Sequence, residues 1–298
     1  MRRSKPEVPL LSHSADVAVI IPHYNDPDRL LRCLDSLVPQ LDDTVEVVVV
    51  DNASTLPLTA VRAAHPDIRL VTETQKGAAQ ARNRGVAETQ AQRLFFLDSD
   101  CVPAPDWIAV GRRAAGRGDL VGGTVTVFDE TPAPRSGAEA FETVFAFDNR
   151  GYIADKGFSV TANLLTTRTV FERVGGFRTG LSEDLDWCRR ATAAGFSLVH
   201  EDTLRVAHPT RQDWTALARK WRRLTEEGWG LQGRGAGARA RWMLRALAMP
   251  ASAVLHAPRV LRHSDLSAQE KGRALVTLAR LRLQRMGWML HQAMTRRA

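Results

Sequence analysis

The sequence predicts an α/β protein: a doubly wound sheet of mainly parallel strands, followed by a helical extension at its C-terminal end. Three observations predict it. Short β-branched runs without polar alternation recur between residues 17 and 97, as strands covered on both faces require. Amphipathic helical stretches stand between them, and strand–helix–strand order builds right-handed crossovers. From Arg211 onward the pattern changes to basic helices alone.

The strands are "VAVII" (17–21), "VEVVVV" (45–50), "IRLV" (68–71) and "LFFL" (94–97). Between the first two, Asp26 can cap a helix, Pro27 suits its first position, and Leu30, Leu34, Leu37 and Val38 form one apolar face. Residues 77–90 read as a second, less apolar helix. The Pro-rich stretch "DETPAPRSG" (129–137) reads as an exposed loop. In "SEDLDWCRRATAAGF" (182–196) Ser182 is a good N-cap, Glu183 and Asp184 occupy the first turn, and Gly195 ends the helix. Trp214, Leu217, Trp221 and Leu224 make the apolar stripe of a further helix. Residues 231–239 read as a loop or link, and 240–298 as two or three basic amphipathic helices. The expected organisation is a sheet domain over 1–210 and a helical region over 211–298.

Composition narrows the function classes. With 44% hydrophobic and 25% charged residues in 298, the chain reads as an ordinary globular protein. Cys33, Cys101 and Cys188 are far apart and odd in number, so neither a disulfide framework nor a zinc site is expected and a reducing compartment follows. Arg2, Arg3 and Lys5 begin the chain, but His13 and Asp16 interrupt any apolar signal region, and no membrane-spanning run follows. A cytoplasmic location is expected. Residues 231–298 hold 13 Lys and Arg against Asp265 and Glu270, a net of +11, while the rest of the chain nets −3. That asymmetry points to an anionic partner for the tail, either a membrane surface or nucleic acid.

Ligands of open α/β sheets bind beyond the carboxyl ends of the strands. There the first strand runs into Pro22-His23-Tyr24-Asn25-Asp26, the second into Asp51-Asn52, and the fourth into Asp98-Ser99-Asp100. No GxGxxG turn or GxxxxGK[ST] loop follows the first strand, which argues against a dinucleotide-dependent dehydrogenase and a P-loop NTPase. Asp98 and Asp100 form a D-x-D at the strand end; side chains two apart in a strand point the same way, so both carboxylates could address one hard cation. A solvated turn with capping aspartates is the alternative.

These pieces, "IIPHYND", "VVVVDNAS", "KGAAQARNRG", "FFLDSD", "VGGF" and "SEDLDWCRR" in this order, resemble the inverting family-two glycosyltransferases of GT-A fold. The resemblance covers about residues 17–210. It implies a mixed sheet and transfer of a sugar from a nucleotide-diphosphate sugar, a UDP-sugar by expectation, to an acceptor hydroxyl of a surface polysaccharide or glycolipid. It implies Mg²⁺ or Mn²⁺ as cofactor. Pro22, Tyr24 and Asp51 would line the nucleoside pocket, and Arg82 and Asp98 would approach the nucleotide. Asp100 would be the metal ligand. In the Glu183-Asp184 pair Glu183 would lie on the donor side and Asp184 would be the general base. His208 in "RVAHP" would complete the metal site, with His200 as the competing choice. Asn163 is assigned to the donor, with a turn role as the alternative.

The chemistry gives the roles a basis. A departing diphosphate accumulates negative charge that a cation stabilises, and a hydroxyl needs a positioned base to become a nucleophile. The helix dipole would keep Asp184 ionised, though first-turn acids also serve plain helix stabilisation. Trp107 and Trp187 could stack on a sugar but suit packing better, and Cys101 and Cys188 read as buried fillers. The tail would lie on an anionic membrane surface at the inner face, presenting the enzyme to a glycan or lipid-linked acceptor, or would pack on the sheet domain. No nucleic-acid-binding motif supports the third reading. The rival functions are a noncatalytic sugar- or membrane-binding module of the same fold and a nucleotidyltransferase. The second would announce itself by a basic, glycine-rich loop after the first strand, which "PHYNDPDR" is not.

Overall fold

The computed structural model describes residues 15–180, 182–232 and 235–295; Arg2, Arg3, Lys5 and His13, and Arg234 and Arg297 of the tail, lie outside them. The strands are β1 (Val17–His23), β2 (Val45–Asp51), β3 (Arg69–Thr72), β4 (Arg93–Leu97), β5 (Val102–Pro103), β6 (Leu120–Phe128), β7 (Asn163–Thr167) and β8 (Leu198–Pro209). Among the described residues they form one eight-stranded sheet in the order β3-β2-β1-β4-β7-β6-β8-β5. β3, β2, β1 and β4 are parallel; β7 runs antiparallel to β4 and β6, β8 parallel to β6, and β5 antiparallel to β8. The helices are α1 (Pro27–Leu37), α2 (Thr59–Ala64), α3 (Ala78–Ala87), α4 (Trp107–Ala114), α5 (Gly137–Phe145), α6 (Asn149–Lys156), α7 (Arg168–Val174), α8 (Glu183–Ala193), α9 (Trp214–Gly230), α10 (Ala236–Leu247), α11 (Met249–Arg262) and α12 (Ala268–Thr295).

The period-two geometry of a strand explains why the first runs lack polar alternation. Val17, Val19 and Ile21 of β1 face one side, where Leu30 and Leu34 of α1 and Trp107 of α4 pack on them. Ala18 and Ile20 face the other, against Ala81 and Val86 of α3 and the layer holding Phe171 and Trp187. Both faces are core. α1 starts as its sequence demands, with the Asp26 side chain accepting from the Arg29 N–H and Pro27 in the first turn.

The C-terminal helices share a core with the preceding part of the chain. Ala138 and Phe141 of α5 pack with Leu217 of α9, Val260 of α11 and Leu278 and Leu281 of α12. A smaller cluster joins Trp242 and Ala246 of α10 to Met289 and Ala293 of α12. α10 begins at Ala236, so the expected loop over 231–239 is shorter at its end, and three helices follow. β5 to β8 have no counterpart in the sequence reading. β6 carries Gly122 and Gly123, and its register with β8 shifts between Gly123 and Thr124, which breaks the pattern a strand normally shows. Gly123 is required there: a Cβ would overlap the Asn163 amide and the Leu204 carbonyl.

Candidate active site

A cleft of about 570 Å³ lies at the carboxyl ends of β1, β2 and β4 and is closed by the start of α8, the end of β8 and α9. Pro22, Tyr24, Arg82, Asp98, Asp100, Glu183, Asp184 and His208 all line it. They come from five stretches of sequence, two of which stand at the ends of parallel strands, at one edge of the sheet.

On the β1–β2 side, Asp51 is held by a residue that sequence reasoning passed over. The Asp26 backbone N–H donates to Nε2 of the buried His23 (3.1 Å), leaving its Nδ1–H to donate to Asp51 Oδ1 at 3.2 Å. His23 lines the cleft, whereas Asp51 stands just behind it. The neighbouring loops are tightly set: Asn25 and Ala53 adopt left-handed backbone (φ 51° and 56°), and Asn25 Oδ1 accepts from the Thr55 and Leu56 N–H groups. Left-handed non-glycine residues persist where the surroundings over-determine them, often at binding loops.

The D-x-D carboxylates do not address one point. β4 ends at Leu97 and Asp98 opens a turn, with the Cys101 N–H donating to its carbonyl, so the strand geometry that would align the pair is absent. The buried Arg82 donates to Asp98 Oδ1 (2.6 Å) and to Glu183 Oε1 (3.0 Å), tying β4 to α8. Asp100 turns instead to His208, whose Nε2 lies 3.2 Å from Asp100 Oδ2. His208 Nδ1–H donates to the Pro209 carbonyl (2.7 Å), which fixes Nε2 as the atom presented to Asp100. Burial pushes the Asp100 carboxyl up, but His208, Arg29 and Arg211 outweigh it and hold it at about 2. His200 lies beside Asp202 instead, with Nδ1 3.3 Å from its Oδ1.

Asp184 departs from the dipole expectation. Burial and the adjoining Glu183 charge raise its carboxyl to about 6, with Arg82 pulling the other way. Ser182 stands at the N-cap, yet its hydroxyl reaches the Asp184 carboxylate (3.4 Å) rather than a backbone N–H.

Asn163 is a correction. Its side chain is fully buried and spent: Oδ1 accepts from Trp107 Nε1 (2.9 Å), and Nδ2 donates to the Thr124 and Leu204 carbonyls. Nothing remains for a donor, because the amide pins the β6–β7–β8 crossing. Trp107 and Trp187 are likewise packed, against Phe95 and against Phe171 and Phe177. All three thiols are buried and pushed up by burial, Cys188 to about 12, which leaves none as a nucleophile.

One wall of the cleft comes from α9 and the residues just before it, a stretch read in the sequence for its apolar stripe and not for individual site residues. Arg211, Lys220, Trp221 and Glu227 line the cleft, and the sequence shows only a Trp/Leu stripe flanked by basic residues. The buried Glu142 of α5 sets two of them, accepting from Lys220 Nζ (2.9 Å) and Arg211 Nη1 (2.9 Å). Glu227 is pushed up to about 7 by burial together with Glu183 and Asp184, against the pull of Arg223.

Among the described residues no three His, Cys, Asp or Glu side chains gather round a single point. The cleft therefore offers a cation one carboxylate and one imidazole, Asp100 and His208. That partial set suits a divalent ion completed by phosphate and water oxygens.

Comparison with known proteins places the chain in a family. The Glycosyl transferase family 2 profile matches residues 18–186, and the chain belongs to that family. Glycosyltransferase AglE of Haloferax volcanii is 32% identical over 219 residues, 69% of this chain and 71% of AglE. The succinoglycan biosynthesis protein ExoO of Rhizobium meliloti is 34% identical over 122 residues, covering 40% of this chain and 34% of ExoO. The mannosyltransferase PcManGT from Pyrobaculum calidifontis, solved in complex with GDP-Man and Mn²⁺, superposes with a TM-score of 0.50 at 22% identity, covering 95% of this chain and 74% of that one. The protein is a glycosyltransferase with the GT-A fold and a helical C-terminal region.

Proposed function

We propose that the cleft transfers a sugar from a nucleotide-diphosphate sugar to an acceptor hydroxyl in one displacement that inverts the anomeric carbon. The observation that supports it best is the division of labour among the acids. Asp100 is held ionised beside His208, while Asp184 stands apart with a carboxyl near 6. One suits a cation and the other suits a base.

In this reading Pro22, Tyr24 and Asp51 receive the nucleoside, and Asp51, oriented by His23, accepts hydrogen bonds from base or ribose. Arg82 keeps Asp98 and Glu183 on the donor side. Asp100 and His208 would hold Mg²⁺ or Mn²⁺, which when bound stabilises negative charge on the diphosphate. Arg211 and Lys220 add fixed positive charge on the α9 side. As the acceptor oxygen bonds to the anomeric carbon, its proton passes to Asp184, and the bond from that carbon to the diphosphate oxygen breaks with its electron pair.

The donor we propose is a UDP-sugar and the acceptor a surface glycan or glycolipid; ExoO, named for succinoglycan biosynthesis, supports the polysaccharide reading. The enzyme would work at the inner face of a membrane, where lipid-linked acceptors lie. Attachment in this reading is peripheral, through the basic C-terminal helices; among the described residues no helix is long and apolar enough to cross a membrane.

The experiment is transfer and hydrolysis on a panel of UDP- and GDP-sugars with Mg²⁺ or Mn²⁺, with calorimetry of nucleoside diphosphate binding. Asp100→Ala is expected to abolish the metal-dependent part of binding while circular dichroism stays unchanged. Equal metal-dependent binding by wild type and variant would remove Asp100 from the cation site, and no turnover with any donor would remove the proposed donor class.

A further inference from the structure

Among the described residues, ten of the twelve exposed large apolar side chains fall in residues 231–295. α11 carries the clearest case. Val260 and Ala253 on one side pack into the core shared with α5 and α12. Ala251, Val254, Leu255 and Pro258, spaced i, i+3, i+4 and i+7, form a second apolar stripe that faces away from it, with Val254 74% and Leu255 76% exposed. A helix that is apolar on both sides is normally buried on both. α10, joined to α11 through Ala248 alone, adds Leu244 at 67% and Leu247 at 60%.

The charges beside these stripes are of one sign. Residues 236–262 contain Arg239, Arg241, Arg245, Arg259 and Arg262 and no acid. Among the described residues, none of Arg241, Arg245, Arg259 and Arg262 pairs with a carboxylate, nor do Arg282 and Arg285 of α12, which lie behind them. Arg282 Nε is buried without a partner. Burial and the neighbouring arginines Arg282 and Arg245 push the Arg285 guanidinium down to about 10, as crowding of like charges does.

We propose that the outward face of the consecutive helices α10 and α11 docks on an anionic lipid surface, with Leu244, Leu247, Val254 and Leu255 entering the acyl boundary and the arginines meeting phosphate headgroups. This deepens the membrane partner of the reading above and rests on that part alone, not on the chemistry of the cleft. Charge decides between occupants. A second copy seated on the same face by two-fold symmetry would oppose arginines to arginines, whereas an anionic leaflet supplies the missing countercharge over the whole patch.

The test is co-sedimentation of the full chain with vesicles of phosphatidylcholine alone or mixed with phosphatidylglycerol, alongside analytical ultracentrifugation without lipid. The wild type is expected to pellet on the mixed vesicles, less at high salt. Val254→Asp with Leu255→Asp should lower the partition coefficient by about tenfold or more, and Arg241, Arg245, Arg259 and Arg262 all changed to Gln should erase the preference for phosphatidylglycerol. Because the substituted side chains face outward, melting temperature and nucleotide binding should stay as in wild type. A wild type that remains in the supernatant with mixed vesicles overturns the proposal. So does equal pelleting of wild type and both variants, or a lipid-free dimer that the aspartates dissociate without changing vesicle binding. Vesicle binding without any nucleotide binding would leave this surface standing and remove the reading of the cleft.

Discussion

Glu183 and Asp184 are adjacent carboxyls with opposite fates. Glu183 is satisfied by Arg82, while Asp184 carries the cost of burial and of its neighbour's charge, which raises it to about 6. A base works only when ionised, so kcat/KM is expected to rise with pH through about 6 and then level off. Replacing Glu183 by Gln keeps an oxygen for Arg82 and removes the negative charge, so the limb should move to lower pH. A pH profile that is flat between 5 and 8, or a limb that moves up in the variant, would take the role from Asp184. At this scale the sequence was readable as far as placement goes: Asp100, expected at the strand edge, lines the cleft. It misled where burial decides: Asn163 resembles a ligand in the string "TANLL", but its amide is enclosed by Trp107, Thr124 and Leu204. The turn that sends Asp98 to Arg82 and Asp100 to His208 depends on where β4 stops, which "FFLDSD" does not reveal.

α9 shows what element-level patterning leaves out. Its stripe of Trp214, Leu217, Trp221 and Leu224 predicts a helix with one packed side, and Leu217 and Trp221 do pack against α5 and α12. The pattern does not say that Lys220 and Glu227 turn into the cleft, because that depends on the angle at which α5 and α12 hold the helix. Glu227 gives a test of that placement. Its carboxyl is raised to about 7 by burial and by Glu183 and Asp184, so the proton favours the fold. The wild type therefore holds this contribution fully below the ordinary glutamate value near 4.5 and loses it as pH rises through about 7. Glu227→Gln should match wild-type stability near pH 4 and exceed it at pH 8 by an amount of order 1–3 kcal/mol in urea unfolding. A variant less stable than wild type at pH 8 would mean that Glu227 is paired favourably rather than crowded by acids. The strands divide in the same way. β1, β2 and β4 announce themselves because both faces are core, while β6 and β8, with paired glycines and a register shift, do not.

Across the whole molecule, a parallel half-sheet places the proposed donor-binding residues at one edge. The antiparallel half brings His208 to Asp100, α9 closes the cleft, and α10 to α12 carry the charge. The sequence showed this asymmetry as +11 against −3, but only the fold separates the helix surfaces that pack from those left outward. The central claim is that one cleft binds a nucleotide-sugar on one side and deprotonates an acceptor on the other. The most direct measurement is turnover and nucleoside diphosphate affinity for Asp184→Asn, both with Mn²⁺, beside wild type. The account predicts that turnover falls by about a hundredfold or more, as for loss of a positioned base, while affinity stays within about twofold. Near-normal turnover, or loss of affinity in step with turnover, would contradict it.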